Sequence, residues 1–250
     1  MAMLRSVLRP TPAAVLEGAR LLADGVRQRP GLGPLLVIVP GGAATDVPSI
    51  GTGDPSQPGV VRYGLPEPYA KRTVEGDLGM RYNAAGIVAA AGIDTIAADA
   101  GIGVDAVDAA LARLHANVET LPIDDAHFRL DEALVRAAIR IAVKRHAGTC
   151  ETVYTAQGPV GMQRGKDLGQ VKLVIGTGGA LVHARDPSAI LGVAVASASD
   201  PASLRPQAPR LAIDRHYLLY AAGLLAQVAP QVAFDIASDQ LQVLEEGVFP

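Results

Sequence analysis

The fold class of this 250-residue chain is decided by the stretch Leu35-Leu36-Val37-Ile38-Val39-Pro40-Gly41-Gly42. Its first five residues are all apolar, which is typical of a central strand that is covered on both faces of its sheet. The glycine pair that follows predicts a tight turn. A second, largely apolar run, Val171–Ile175, leads in the same way into Gly176-Thr177-Gly178-Gly179. Two strands that each end in a glycine turn predict an α/β fold with a ligand crevice at the carboxyl ends of its strands.

Further elements are predicted from apolar periodicity on either side of these two runs. The first helix is predicted over Ala13–Asp24, with Thr11 as its N-cap, Pro12 as its first residue and Gly25 as its end. Additional strands are predicted at Asp46–Ile50, Val60–Tyr63 and Leu191–Ala196, the first two forming a meander around the turn Gly51–Gly59. Additional helices are predicted at Ala84–Ala91, Val104–Leu114, Asp131–Arg145 and Arg215–Val228, with Pro201–Pro209 as a loop.

Composition excludes several classes of function. The net charge is −3, aromatic residues make up 4% and there is no tryptophan, so neither a basic nucleic-acid face nor a stacking platform for single strands is expected. The most apolar stretches, Ala84–Ala98 and Ala189–Ala198, are shorter than the roughly 18–20 residues of a membrane span. One cysteine, Cys150, excludes an intrachain disulfide. We therefore expect a cytoplasmic protein that binds neither nucleic acid nor membrane.

The first glycine turn is a candidate phosphate site. Gly41 and Gly42 follow a buried strand directly, and glycine lets backbone N–H groups approach a phosphate closely. Asp46, a few residues further on, could hold Mg²⁺ through water. The alternative is a tight hairpin in which the glycines serve only the turn.

The second glycine turn is a candidate site for a ribose or a base. A strand that ends in Gly176-Thr177-Gly178-Gly179 lets such a group lie flat against the backbone, although the same residues also suit a plain strand-to-helix turn. Because two such turns occur in one chain, we expect them to face one cleft shaped for adenine and phosphates.

A third candidate is the charged string Lys71–Asn83, which holds two carboxylates and several cations around two glycines. It could face a phosphate or a partner protein, or it could be a solvated loop whose ion pairs contribute ~0–1 kcal/mol each. Spacing does not decide between these interpretations. No two histidines have the spacing of zinc ligands, and Gly165-Lys166 lacks the glycine-rich approach of a P-loop.

Five strings in this chain resemble those of one protein family, in the same order. They are TVEGDLGMR at Thr73–Arg81, RHAGT at Arg145–Thr149, GKDL at Gly165–Leu168, VIGTGG at Val174–Gly179 and DRHYLLYAAGLLA at Asp214–Ala226. The family is that of the MutL proteins of the glutamate mutase system, which are unrelated to the mismatch-repair protein of that name. The resemblance runs from about residue 12 to residue 230 and is to the C-terminal half of those proteins.

The resemblance implies a single actin-like (ribonuclease H-like) ATPase lobe with a helical inserted subdomain, in the superfamily of sugar kinases, Hsp70 and actin. It implies residues 1–72 as the first part of the lobe, 73–167 as the inserted subdomain and 168–250 as the remainder, with a hinge helix around Ala222-Gly223. The implied ligand is ATP or ADP with Mg²⁺. The implied second phosphate loop contains Gly41, Gly42, Thr45 and Asp46, and the implied adenosine loop contains Gly176, Thr177, Gly178 and Gly179. In that scheme Thr45 and Asp46 are catalytic, and Asp46 also binds the metal.

The implied function is that of an ATP-driven reactivating chaperone, which exchanges damaged cobalamin in an adenosylcobalamin-dependent mutase. Two residues of the phosphate loop weigh against ATP hydrolysis. Val39 stands where the family has Asp, and Ala44 stands where it has Thr. Removing such contacts typically lowers a rate by ~10²–10³ each. The first lobe is also expected to be absent, so we expect little or no ATP hydrolysis by this chain alone.

The alternative is a degenerate, non-catalytic interaction module that keeps the fold. In either case the expected partner is a cobalamin-dependent mutase subunit. A separate first lobe or a second copy of this chain would be a further partner.

Overall fold

The computed structural model describes residues 10–156 and 158–244, which form nine helices and eleven strands. The helices are α1 (Thr11–Asp24), α2 (Ala84–Ala91), α3 (Ile93–Ala100), α4 (Val104–Ala116), α5 (Asp125–His146), α6 (Gly179–Val182), α7 (Pro187–Gly192), α8 (Leu219–Leu225) and α9 (Pro230–Asp239). The strands are β1 (Gly25–Val26), β2 (Arg29–Pro30), β3 (Leu35–Pro40), β4 (Thr45–Ile50), β5 (Val60–Tyr63), β6 (Ala70–Glu75), β7 (Thr149–Thr155), β8 (Gly158–Arg164), β9 (Leu173–Gly176), β10 (Arg210–Asp214) and β11 (Leu241–Val243). Across these described residues, no helix has both the length and the apolar character needed to cross a bilayer.

The main sheet has six strands in the order β11-β10-β9-β3-β4-β6. Strands β3, β4 and β6 form an antiparallel meander, while β9 and β10 run parallel to β3 and β11 closes the other edge. The two apolar runs predicted from the sequence are therefore adjacent parallel strands, with Ile38 opposite Gly176. Their two glycine turns leave the sheet side by side at the same end. A mixed α/β fold is confirmed.

Helices cover both faces of this sheet, and alternation along β3 decides which side chains meet which helices. Leu35 and Val37 lie in a core with α1, α8 and α9. Leu36 and Ile38 face the opposite way into a larger core, to which α2 to α5, α6 and α7 contribute. Burial on both faces explains why the sequence of β3 is wholly apolar rather than alternating.

Strand β5 is not part of the main sheet, so the predicted meander of β4 and β5 is wrong. Strand β4 pairs with β3 on one side and with β6 on the other over all six of its residues, which leaves it no free edge. Strand β5 instead pairs in parallel with β8, which forms a hairpin with β7 in a separate three-stranded sheet. The Gly51–Gly59 segment is a crossover between two sheets.

The strand predicted at Leu191–Ala196 is also wrong. Residues Pro187–Gly192 form the short helix α7, which begins after Asp186, whose Oδ1 accepts a hydrogen bond from the N–H of Ala189 at 2.9 Å. Only Leu191 and Gly192 of the predicted run are helical, with Ile190 and Leu191 fully buried, and residues 193–196 follow the helix as a turn. The next strand of the sheet is β10, which the sequence analysis assigned to no element.

The bounds of several predicted helices differ in the structure, and α5 begins at Asp125 rather than at Asp131. Helix α1 already includes Thr11, and the residue that precedes it is Pro10, so Thr11 is not the N-cap. Its predicted end is confirmed, because Gly25 has φ +76°. The helix predicted at Arg215–Val228 is limited to α8, since the chain turns at Tyr217 (φ +56°) and the carboxylate of Asp214 accepts hydrogen bonds from the first helical N–H groups.

Candidate functional site

The two glycine turns line one cavity of about 610 Å³ at the ends of β3 and β9. The relation follows from strand register, because Thr177 N–H donates to Ile38 O at 3.0 Å and keeps the two strand ends together. Gly178 has φ +100°, and a Cβ there would lie 3.1 Å from Pro40 O. The close approach of the second turn to the first therefore requires glycine.

The far wall of the cavity comes from three other segments. They are the loop after β6, the segment between α4 and α5, and the first turns of α5. Their lining residues are Met80, Arg81, Leu121, Pro122, Phe128, Asp131 and Glu132. Residues after Gly179 complete it with Ala180, His183 and Ala184. Most of this wall is apolar, as is usual for a small-molecule site with a few polar groups that orient the ligand.

The string Thr73–Arg81 has a clear structural role at this cavity. Its last residues dock on the first glycine turn, because Met80 N–H donates to Gly41 O and Arg81 N–H donates to Gly42 O, both at 2.9 Å. Gly79 lies so close to the backbone of Ala43 that a Cβ would be 2.4 Å from its carbonyl carbon. This docking brings Arg81 into the cavity wall. Of the interpretations left open for this string, a position beside a ligand cavity holds for Met80 and Arg81.

The acidic groups of the cavity wall already have hydrogen-bond partners. The guanidinium of Arg81 donates two hydrogen bonds to the carboxylate of Asp131, at 3.2 and 2.5 Å. Glu132 accepts from the backbone N–H of Arg185 at 3.3 Å, and the guanidinium of Arg185 lies 4.7 Å from the ring centroid of Phe128. Arg81 and Asp131 neutralise each other, whereas Glu132 has no ion pair within the described residues, so the main attractive contacts for a ligand with phosphates would be the backbone N–H groups.

Four of the eight predicted site residues line the cavity, namely Gly41, Gly42, Gly178 and Gly179. Within the described residues, the N–H groups of Gly42 and Gly178 donate to no protein acceptor. Backbone donors without protein partners beside glycine turns are the feature that a phosphate site needs. The role of these residues in binding a nucleotide stays a prediction.

The other four predicted residues do not line the cavity. Thr45 is fully buried and its hydroxyl donates to Leu78 O at 2.7 Å. Gly176 is buried in β9, where a Cβ would come within 3 Å of three leucine and isoleucine methyl groups. The hydroxyl of Thr177 donates to Asp214 Oδ2 at 3.0 Å. These three residues support the turns from behind.

Asp46, the predicted catalytic and metal residue, is paired with Arg72 across the β4–β6 ladder. The Arg72 Nε lies 2.8 Å from Asp46 Oδ1 and its Nη2 lies 2.5 Å from the same oxygen. Burial raises the pKa of Asp46, and the charge and hydrogen bond of Arg72 offset part of that rise. No group of three or more His, Cys, Asp or Glu side chains among the described residues could hold a metal ion.

A second polar cluster is buried between β4, β6 and α5. His146 Nε2 lies 2.7 Å from Ser49 Oγ, and its Nδ1 lies 2.9 Å from Thr73 Oγ1. The Lys166 ammonium, 1% exposed, donates to the carbonyls of Tyr69 at 2.8 Å and Pro68 at 2.9 Å. Burial lowers the pKa of His146 to about 3 and that of Lys166 to about 8. None of these residues lines the cavity.

Several cavity residues were missed by the sequence analysis, above all Phe128, Asp131 and Glu132. They lie at the start of α5, and their spacing of three and four residues puts them on one helix face. This spacing can be seen in the sequence, but it is equally typical of a solvated helix face and so does not indicate a binding site. Only the contact with Arg81, 50 residues earlier in the chain, distinguishes it.

Comparison with known proteins gives one family and one curated relative. The family model described as "MutL protein" matches residues 1–241. "Protein MutL" of Clostridium tetanomorphum is 43% identical over 238 residues, which cover 95% of this chain and 52% of the relative. The chain thus spans about half the length of the curated relative it matches. The resemblance inferred from the five sequence strings is confirmed.

Proposed function

This chain belongs to the MutL protein family, and from that premise we propose that it is a nucleotide-binding accessory protein of a cobalamin-dependent mutase of the glutamate mutase type. Its partner would be a subunit of the mutase, and its task would be to reactivate the enzyme by promoting exchange of damaged cobalamin. The single observation that carries the nucleotide part is the cavity shared by Gly41, Gly42, Gly178 and Gly179.

The order of strands supports an actin-like lobe. Three antiparallel strands, β3, β4 and β6, are extended on the β3 side by β9 and β10, which are parallel to β3. This is the order expected of a ribonuclease H-like sheet. In such a lobe the turn between the first two strands would hold phosphates, and the turn after the fourth would approach the nucleoside. The helices between β6 and β9 would then be the inserted subdomain, within residues 73–167.

Size and chemistry support an adenine nucleotide as the ligand. A cavity of about 610 Å³ lies within the range of ~300–1,000 Å³ that is typical of small-molecule sites. The N–H group of Gly42 would donate to a phosphate oxygen and that of Gly178 to the nucleoside, while the apolar wall around Phe128 would accept the base. Bound Mg²⁺ would supply charge neutralisation of the phosphates, held chiefly by phosphate oxygens and water.

A non-catalytic module is the second candidate function, and the surroundings of Asp46 favour it. The carboxylate is paired with Arg72, and the hydroxyl of Thr45 is used by Leu78 O. The charge of Asp46 is thus compensated by Arg72 through Oδ1, and the hydroxyl proton of Thr45 is already donated. Binding of nucleotide with little hydrolysis by this chain is therefore the outcome we propose.

Calorimetric titration of the purified chain with ATP and ADP, each with Mg²⁺, tests the proposal. The informative variant is Gly42→Val, because a Cβ at Gly42 meets only the side chain of Arg81 at 3.8 Å and so projects into free space at the cavity. Gly76→Val is the control, since nothing lies within 4 Å of a Cβ there. We expect micromolar binding, about −8 kcal/mol, weakened at least tenfold in Gly42→Val and unchanged in the control. No binding at about 1 mM nucleotide would favour the non-catalytic module.

The partner is tested separately by gel filtration of the chain with purified adenosylcobalamin-dependent glutamate mutase, with and without ATP and Mg²⁺. Co-elution in either nucleotide state supports the accessory role. Separate elution in both states, while Gly42→Val still impairs nucleotide binding, would reject the partner and leave the nucleotide site standing.

A further inference from the structure

A second cavity, of about 780 Å³, lies on the same side of the sheet as α5 but shares no lining residue with the first. Its walls are the C-terminal half of α5, the helix α7 and the segment 193–205 that follows it. We name it the Arg205 pocket after its most buried charged residue. No motif of the sequence analysis and no part of the proposed nucleotide site involves it.

The guanidinium of Arg205 is buried with too few acceptors. The side chain is 5% exposed, yet within residues 10–156 and 158–244 its only hydrogen bond is from Nη1 to Val193 O at 3.3 Å. Its Nη2 lies 4.0 Å from Asp200 Oδ2, and its Nε has no hydrogen-bond partner among the described residues. Guanidinium has five N–H donors, and a buried charge is stable only when paired and hydrogen-bonded. The pocket therefore lacks an acceptor that a ligand could provide.

The charge around Arg205 is not balanced by its neighbours. The carboxylate nearest to it, Asp200, is engaged by Lys144 Nζ at 2.8 Å. Arg140 lines the same pocket and makes no hydrogen bond or ion pair with any residue that the structure describes. Burial lowers the pKa of Arg205, and the negative charge of Asp200 raises it in part. The positive charge of Arg140 lowers the pKa further, because the two guanidinium groups repel each other. An anion between them would remove that repulsion.

Hydroxyl groups complete the donor set. Ser188 Oγ is buried in the pocket wall without a hydrogen-bond partner in the described part of the chain. Ser197 Oγ and Ser199 Oγ lie 2.9 Å apart and bond to each other. The second acid of the pocket, Asp186, is occupied in capping α7. Arginines with N–H donors to spare, together with hydroxyl donors, are the combination that recognises a tetrahedral oxoanion.

We propose that the Arg205 pocket binds the phosphate group of a small phosphate monoester. Arg205 would hold the phosphate from the floor of the pocket, Arg140 would close on it from the open side, and Ser188 would donate its hydroxyl. The volume exceeds what a bare phosphate ion fills, and it lies within the range for small organic ligands. The pocket is thus a second anion site, separate from the cavity between the glycine turns.

Isothermal titration with inorganic phosphate and with glucose 6-phosphate, followed by ³¹P NMR, tests this assignment on the full chain. Arg140→Gln is the main variant, because Arg140 is exposed and makes no contact that the fold needs. Arg210→Gln is the matched control, since Arg210 is also exposed and its side chain lies outside both cavities. Arg205→Lys keeps the charge but removes the planar fork.

We expect saturable binding of the monoester, weakened roughly tenfold in Arg140→Gln and in Arg205→Lys, and unchanged in Arg210→Gln and in Gly42→Val. The last result would separate this site from the nucleotide cavity. Two results would overturn the proposal: no saturable binding of either probe, or equal loss in Arg140→Gln and Arg210→Gln. If Arg205→Lys fails to fold, Arg140→Gln decides alone.

Discussion

The buried histidine His146 makes the stability of this fold depend on pH in the mildly acidic range. Its side chain is 0% exposed and is held between the hydroxyls of Ser49 and Thr73. Burial lowers its pKa from 6.5 to about 3, and the positive charges of Lys71 and Lys166 contribute. In the folded protein the ring therefore stays neutral at pH values where the unfolded chain carries a protonated histidine.

The size of the effect follows from the two pKa values. Between pH 6.5 and about 3 the unfolded state binds one more proton than the folded state, so acid favours unfolding in this window. The free energy of unfolding then falls by about 1.4 kcal/mol for each pH unit below 6.5. From about pH 8 to about pH 5, His146 alone should remove about 2 kcal/mol of stability.

Urea unfolding at these two pH values measures the effect, with His146→Gln as the perturbation and His216→Gln as the control on an exposed histidine. The glutamine cannot be protonated, so His146→Gln should lose about 2 kcal/mol less than the wild type between about pH 8 and about pH 5. The control should lose as much as the wild type. Comparing each variant with itself removes any constant cost of the substitution. Equal losses in wild type and His146→Gln would refute a neutral, buried histidine.

Two further predictions concern the packing behind the glycine turns. Gly223→Ala should destabilise the fold by ~1–3 kcal/mol although alanine favours helices, because its Cβ would lie 1.9 Å from Ala14 O where α8 crosses α1. Thermal unfolding measures this loss, with Gly76→Ala as a control that should be neutral. Asp214→Ala should cost about 3 kcal/mol in urea unfolding, since it leaves the hydroxyl of Thr177 and two N–H groups of α8 without their acceptor.

The central strands were predictable because their signal is local. Continuous apolar sequence at β3 and β9 reflects burial on both faces, and the glycines after each strand mark where the backbone turns. Pairing of strands is not local, and here prediction failed. Whether β5 follows β4 in the sheet depends on β6 and β8, which compete for the edges of β4 and β5. The pairing of β4 and β5 therefore cannot be predicted from residues 46–63 alone.

The error at Leu191–Ala196 has a different cause. A short apolar run of four to eight residues fits a buried strand and a buried helix turn equally well. Here the preceding Asp186-Pro187 decides for a helix, because the aspartate caps the N-terminus and proline suits its first turn. That signal was present in the sequence, and it outweighs the β-branched residues that follow.

The candidate cavity was predictable on one side only. Its glycine turns follow from the strands that precede them, whereas Arg81 and Asp131 are brought together by packing of α5 against the loop after β6. Thr45 and Asp46 were expected at the cavity because the family resemblance implies one phosphate loop that contains them together with Gly41 and Gly42. They are near Gly41 and Gly42 in sequence, but strand alternation turns the side chain of Thr45 into the core, against Leu78 O.

The strings that identified the family divide by what they do in the fold. Met80 and Arg81, at the end of one string, line the cavity together with the second glycine turn. The strings RHAGT and GKDL instead supply His146 and Lys166, whose polar atoms are satisfied by buried partners away from the cavity. The fold requires His146 and Lys166 whether or not a nucleotide binds. Shared sequence at those positions therefore supports the fold, and the case for a ligand depends on the cavity residues alone.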